Sequence, residues 1–151
     1  MTRRRIVLAT GAFDLLHLGH IRFLRESKKR GGQNSRLFVV VARDRTVRER
    51  KGRAPTIPEN ERREIVASLK TVDKAMLGHE KLDMLGILKE VRPDVVSLGY
   101  DQNDIKISVV KLIKSNRLGI RVVQIPKLGR NALNNSTKLK AKIARDWERS
   151  N

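Results

Sequence analysis

One handover, from an apolar run to a helical pattern through a short glycine- and histidine-bearing segment, limits the fold of this chain more than any other feature. Arg5-Ile6-Val7-Leu8-Ala9-Thr10 is apolar and β-branched, and predicts a buried strand. Gly11-Ala12-Phe13-Asp14-Leu15-Leu16-His17-Leu18-Gly19-His20 follows it, after which Ile21, Leu24 and Arg25 begin a helical pattern that lasts to Gly31-Gly32. A strand-to-helix junction carries free backbone N–H groups and the positive end of a helix dipole, which together suit phosphate. Gly19 has no Cβ and lets a phosphate come close to the backbone. His17 and His20, at i and i+3, project onto one face of the first helical turn.

The same alternation continues along the chain. Strands are expected at Arg5–Thr10, Leu37–Ala42, Lys74–Leu77, Asp94–Leu98 and Arg121–Ile125. Helical patterns cover about Gly19–Arg30, Glu59–Leu69, Leu82–Val91 and Ile105–Asn116, and a last helix starts near Ser136 and runs through Leu139, Ile143 and Trp147. Leu82, Leu85, Leu88 and Val91 form one apolar stripe, and Ile105, Val109, Leu112 and Ile113 another; both are read as core. Alternation of this kind implies an α/β fold: a Rossmann-like parallel sheet of about five strands, with helices on both faces. With 151 residues and neither repeat nor low-complexity linker, residues 1–151 are read as a single domain. Such sheets bind ligands beyond the carboxyl ends of their strands, where the histidine segment falls.

Composition removes several function classes. Cysteine is absent, which excludes disulfides, thiolate zinc sites and a cysteine nucleophile. No apolar stretch approaches the ~18 residues that span a bilayer, and the run after Arg3-Arg4-Arg5 stops too soon for a signal peptide. A cytoplasmic protein without membrane contact is expected. The net charge of +18 raises the question of nucleic acid, yet the charge is spread along the chain and aromatic residues are 3%, which leaves few platforms for stacking bases. No nucleic-acid partner is expected, because small anionic substrates account for the bias equally well.

Other segments at strand ends carry candidate chemistry. Ala42 to Pro55 is arginine-rich, with the length and glycine of a mobile basic flap that contains Lys51. Ile57-Pro58-Glu59 begins a helix whose Arg62 or Arg63 could point back to the site. Leu98-Gly99-Tyr100-Asp101-Gln102 places an acid after the fourth strand, where a carboxylate can accept from ribose hydroxyls or a base. Asn134-Asn135-Ser136-Thr137 leads into the last helix, with Ser and Thr suited to capping its N–H groups.

These motifs resemble the HxGH nucleotidyltransferase superfamily, the cytidylyltransferase-like group, whose usual opening is Gly-Thr-Phe-Asp before His-x-Gly-His; Ala12 stands here in place of Thr. The resemblance covers about residues 5–137. It implies catalytic roles for His17, His20 and Lys51, and nucleotide contacts from Ala12, Phe13, His17, Leu18, Gly19, His20, Asp101, Lys127, Ser136 and Thr137. Lys51 and Arg62 would meet the acceptor's phosphate. It also implies a homodimer. Val41-Ala42-Arg43-Asp44, Lys51-Gly52-Arg53-Ala54-Pro55, Ile57-Pro58-Glu59, Arg62-Arg63-Glu64, Val72-Asp73-Lys74 and the Leu98–Gln102 segment are most similar to archaeal-type FAD synthases, which transfer AMP from ATP to FMN. Glycerol-3-phosphate cytidylyltransferase shares these motifs and stays as an alternative, with a basic RNA-binding α/β module as the non-enzyme reading.

Neither a catalytic triad nor paired carboxylates lie near the histidines. Nucleotidyl transfer to a phosphate acceptor fits that absence, because a phosphomonoester with a second pKa of ≈ 6 is already largely deprotonated at pH 7. The protein then has to align the reactants and stabilise charge. Mg²⁺ or another divalent cation would come with ATP, bridging phosphate oxygens and keeping its waters, so no protein metal ligand is expected.

Overall fold

The computed structural model describes residues 3–130 and 133–150. Among these residues, β1 (Ile6–Gly11), β2 (Arg36–Val41), β3 (Lys74–Leu77), β4 (Val95–Gly99) and β5 (Arg121–Ile125) form one parallel sheet in the order β3-β2-β1-β4-β5. The helices are α1 (Leu18–Lys29), α2 (Asp44–Lys51), α3 (Glu59–Ala67), α4 (Met84–Val91), α5 (Asn103–Ser115) and α6 (Ser136–Ser150). None of the described helices is long and apolar enough to cross a membrane.

Strand periodicity sorts the core into two faces. Leu8, Phe38, Val40, Val96 and Leu98 point to one side, where α4 and α5 cover them with Ile87, Leu88, Val91, Val109 and Ile113. Val7, Ala9, Leu37, Val39, Val41 and Val95 point to the other, under Leu24 of α1 and Val66 of α3. From β1 the chain builds outward to β3, then returns to the opposite side of β1 as β4. The order therefore reverses between β1 and β4, and a crevice opens at their carboxyl ends.

Three expectations need correction. Residues 44–51 are a helix, not a flap. The sequence hides it because Val47 is its one buried residue; its support is local, from Asp44 in the first turn, the Arg45–Glu49 pair at 2.8 Å, and basic residues in the last turn. Gly52, at φ 72°, ends it in the left-handed conformation that glycine adopts without strain. Second, α4 starts at Met84, with Asp83 accepting the Gly86 N–H at 2.8 Å, and Leu82 lies outside the helix at 73% exposure. The buried stripe is Ile87, Leu88 and Val91.

Third, Arg62 is not an open cation. Its side chain is 0% exposed, and its guanidinium donates to the Ile57 carbonyl (2.8 Å), to the Ala12 carbonyl and to the Asp44 carboxylate (2.6 Å). It ties the β1–α1 turn to the starts of α2 and α3. Arg62→Ala leaves two carbonyls and a carboxylate without their donor and should cost about 2–3 kcal/mol in urea unfolding. Arg63→Ala, on the half-buried neighbour, should stay within about 0.5 kcal/mol. Equal losses from the two would contradict this role.

Candidate active site

The β1–α1 turn is built under strain and held by burial. Phe13 (φ 52°) and Leu15 (φ 48°) are both left-handed, which costs an L-residue about 1–2 kcal/mol each. Between them Asp14, 5% exposed, accepts the backbone N–H groups of Thr56 and Ile57, each at 2.9 Å, and the Lys140 ammonium at 3.1 Å. Burial alone would raise the Asp14 pKa, but these donors outweigh it and hold the carboxyl below its ordinary value.

That turn delivers both histidines to one place. His17 caps α1 in an extended conformation, and its backbone N–H donates to Nδ1 of His20 at 3.3 Å. With Nδ1 as acceptor, the neutral His20 ring carries its proton on Nε2. The two rings stack with centroids 3.7 Å apart, and Phe13 packs on His20 at 5.3 Å. A Cβ on Gly19 would lie 2.7 Å from the Asn134 carbonyl oxygen and 2.9 Å from the His17 ring, so only glycine fits this approach of the α6 lead-in.

Burial lowers the pKa of both imidazoles. His20 falls to about 3, through burial first, then repulsion from His17 and Lys51, partly offset by Asp14. At pH 7 the pair is neutral. The Nδ1 of His17 is buried without a hydrogen-bond partner.

A cavity of about 670 Å³ occupies the carboxyl edge of the sheet. Ala12, Phe13, His17, Gly19, His20, Lys51, Asp101, Lys127 and Ser136 all line it, so segments far apart in sequence converge. Leu18, Arg62 and Thr137 are not among the lining residues. Leu18 points outward at 43% exposure, Arg62 lies behind the wall, and the Thr137 hydroxyl accepts from Arg53 at 3.4 Å. Asn135, rather than Ser136 or Thr137, caps α6 by accepting the Lys138 N–H at 2.8 Å. Lys127 sits over the Tyr100 ring at 5.8 Å.

Several lining residues were not singled out from the sequence. Gln102 closes the crevice floor, accepting from the Gly99 N–H (2.7 Å) and donating to the Thr10 carbonyl (3.2 Å). Arg50 of α2 reaches Asp104 of α5 at 2.7 Å, an ion pair between two lining residues of the mouth. Arg43 reaches the Gly78 carbonyl and Glu59, and His79 lies 3.1 Å from both Asp83 and Glu90, which raise its pKa. Position after a strand end was the available signal for Arg43 and His79; the cross-strand role of Gln102 had none.

A parallel sheet with a switch-point cavity and a paired-histidine helix start is an arrangement suited to nucleotide-binding α/β proteins. The chain belongs to the cytidylyltransferase-like family, whose model matches residues 8–142. A protein named FAD synthase from Thermoplasma acidophilum is 46% identical over 137 residues, 91% of this chain and 92% of the relative. One of the same name from Thermoplasma volcanium is 48% identical over 140 residues, with 91% and 92% covered. Among solved structures, a lipopolysaccharide core biosynthesis protein from Thermoplasma volcanium superposes with a TM-score of 0.75 at 45% identity, over 83% of this chain and 98% of that one. A pantoate-beta-alanine ligase from Francisella tularensis, with a TM-score of 0.62 at 15% identity over 87% of this chain and 62% of that one, shares the fold.

The lowered His20 pKa has a definite sign. An unfolded histidine takes up its proton near pH 6.5, while the folded one resists until about 3. Stability should therefore fall as pH drops from about 6.5 toward 3, and this contribution should flatten in His20→Gln. Histidine NMR titration should show His20 neutral at pH 6, and added ATP should raise its midpoint. A free-protein midpoint near 6.5 would contradict the burial described here.

Proposed function

We propose that this chain is an FAD synthase that transfers AMP from ATP to FMN and releases pyrophosphate. Identity of 46% and 48% to proteins of that name, each over 91% of this chain, carries the reading, and the neutral stacked histidines beside Lys51 support it. The reading includes a cytoplasmic enzyme acting on two small anionic substrates; its homodimeric state rests on the family resemblance.

An oxygen of the FMN phosphate forms a bond to the α-phosphorus of ATP. The bond from that phosphorus to the α,β-bridging oxygen breaks, and its electron pair leaves with pyrophosphate. The attacking phosphate carries its own charge near pH 7, so no side chain has to remove a proton. The task left to the protein is charge stabilisation in a closed site. His20 offers its Nε2–H, His17 its ring and the α1 N-terminus, and Lys51 and Lys127 add positive charge from opposite sides of the cavity. Ser136 brings the start of α6 to the triphosphate. Ala12, Phe13, Gly19 and Asp101 are assigned to the nucleotide. Arg62, buried against the Ala12 carbonyl and the Asp44 carboxylate, acts as a positioning residue rather than as a contact of the acceptor phosphate.

Mg²⁺ or another divalent cation would enter with ATP and neutralise phosphate charge. Among the described residues no three His, Asp or Glu converge on a metal-sized site, and the Asp14 carboxylate is already taken by three donors. The donor set therefore suits a cation held through nucleotide oxygens rather than by a protein cage.

The direct test offers ATP or CTP, with Mg²⁺, to FMN or glycerol 3-phosphate and identifies the product chromatographically. FAD and pyrophosphate from ATP and FMN are expected. CDP-glycerol without FAD would move the chain to the cytidylyltransferase alternative. His17→Ala or His20→Ala should lower kcat by about two orders of magnitude or more, the range for removed transition-state donors. Asp101→Ala should raise KM for ATP well above any change for FMN, and equal changes would mark it as a turn residue.

A further inference from the structure

Each of α1 to α5 buries at least one side chain in the body of the protein, and α6 buries none. Its Ile143 is 59% exposed. Helices in proteins owe most of their stability to a packed apolar face, so α6 has to be placed by other means. Its placement matters, because Asn134, Asn135 and Ser136 at its start line the cavity. The Asn134 carbonyl oxygen also approaches Gly19 so closely that a Cβ there would meet it at 2.7 Å.

Two contacts between α6 and the body differ in strength. Arg53 reaches the Thr137 hydroxyl at 3.4 Å, in a long bond between exposed groups. Lys140 reaches Asp14 at 3.1 Å, and there the carboxylate is 5% exposed and the lysine side chain 27%. An ion pair with a buried end is screened by water and salt far less than a surface pair. Ser136 and Lys140 are four residues apart and share one face of the helix. Drawing the Lys140 ammonium down to Asp14 therefore sets the height and rotation of the Ser136 turn over the cavity. Lys140 is not among the lining residues, and its charge is already taken, so it reaches the site only through Asp14 and α6. Asp14 depends on the pair less than α6 does, since it also accepts the Thr56 and Ile57 N–H groups. Without Lys140 the histidine turn stays anchored while α6 comes loose.

We propose that Lys140 is a positioning residue for nucleotidyl transfer: through Asp14 it holds the N-terminus of α6 over the cavity, in register with the histidine turn. The proposal rests on the FAD synthase reading, in which Ser136 brings that helix start to the triphosphate, and deepens it. One buried carboxylate then aligns two walls of the site that lie 126 residues apart in sequence. ATP meets both walls and depends on their alignment. FMN, met from α2 by Lys51, depends on it little.

The test compares wild type with Lys140→Met, which keeps the apolar stem without the charge, and Lys140→Arg, which keeps the charge. Lys142→Met, whose lysine pairs with Asp146 within α6, controls for loss of one charge from the same helix. Steady-state kinetics give kcat and KM for ATP and FMN, and calorimetry gives the Kd for ATP. Hydrogen exchange follows the amides of residues 134–141, and urea unfolding reports global stability. Expected in Lys140→Met are a roughly tenfold rise in KM and Kd for ATP, a fall in kcat of similar size and a KM for FMN within about twofold. Exchange at the α6 start should quicken. Lys140→Arg should restore most of each, and Lys142→Met should match wild type. If wild type makes FAD while Lys140→Met loses only stability, or changes no more than Lys142→Met does, the proposal falls with the enzyme reading intact. If wild type binds ATP but makes no FAD, and Lys140→Met still loosens α6 and weakens ATP binding, the positioning role stands and the FAD synthase reading falls. Failure of wild type to bind ATP would overturn both.

Discussion

The buried carboxylate of Asp14 is the contact on which the site depends. It sits between two residues in left-handed backbone and collects donors from two other places: the segment between α2 and α3, and Lys140 on α6. Without it the strained turn would relax, and the segments that frame the histidines would lose their common anchor. Arg62 braces the same turn from behind, through the Ala12 carbonyl and Asp44. An anion and a cation, both nearly or wholly buried, thus fix a short turn whose purpose is to present two imidazoles at one helix start.

The electrostatics follow from that placement. Burial and neighbouring positive charge keep His20 unprotonated, so the empty site does not carry an imidazolium pair stacked at 3.7 Å. Lys51 and Lys127 line the same cavity as cations, beside the two neutral imidazoles. The net charge of +18 acts at longer range and favours the approach of polyanions. Preorganised donors in a partly closed cavity gain strength from low dielectric, which suits a reaction whose demand is charge stabilisation.

Much of this was legible in the sequence, for reasons that differ by element. Parallel strands are buried on both faces, so β1, β2 and β4 read as continuous apolar runs and were placed within a residue of their bounds. The histidine segment was legible because its spacing and its strand-to-helix position point the same way. The helical state of α2 was hidden, since one buried valine leaves no apolar period and its stabilising ion pairs look like ordinary surface charge. Arg62 was misplaced because a buried arginine and an exposed one are the same letter; only its three partners, 5 to 50 residues away, distinguish them. Asn135 took the cap that Ser136 and Thr137 were expected to make, a shift of one or two residues that helix ends commonly allow.

The central claim is that the acceptor phosphate attacks in its own ionised form while the histidines only stabilise charge. The pH dependence of kcat/KM for FMN at saturating ATP tests it most directly, in wild type and in His17→Gln and His20→Gln separately. The account predicts one rise with a midpoint near the second ionisation of a phosphomonoester, about 6, then a plateau. Each variant should keep that midpoint at a much reduced height. A midpoint that shifts or vanishes with either substitution would mark a histidine as general base and contradict the account.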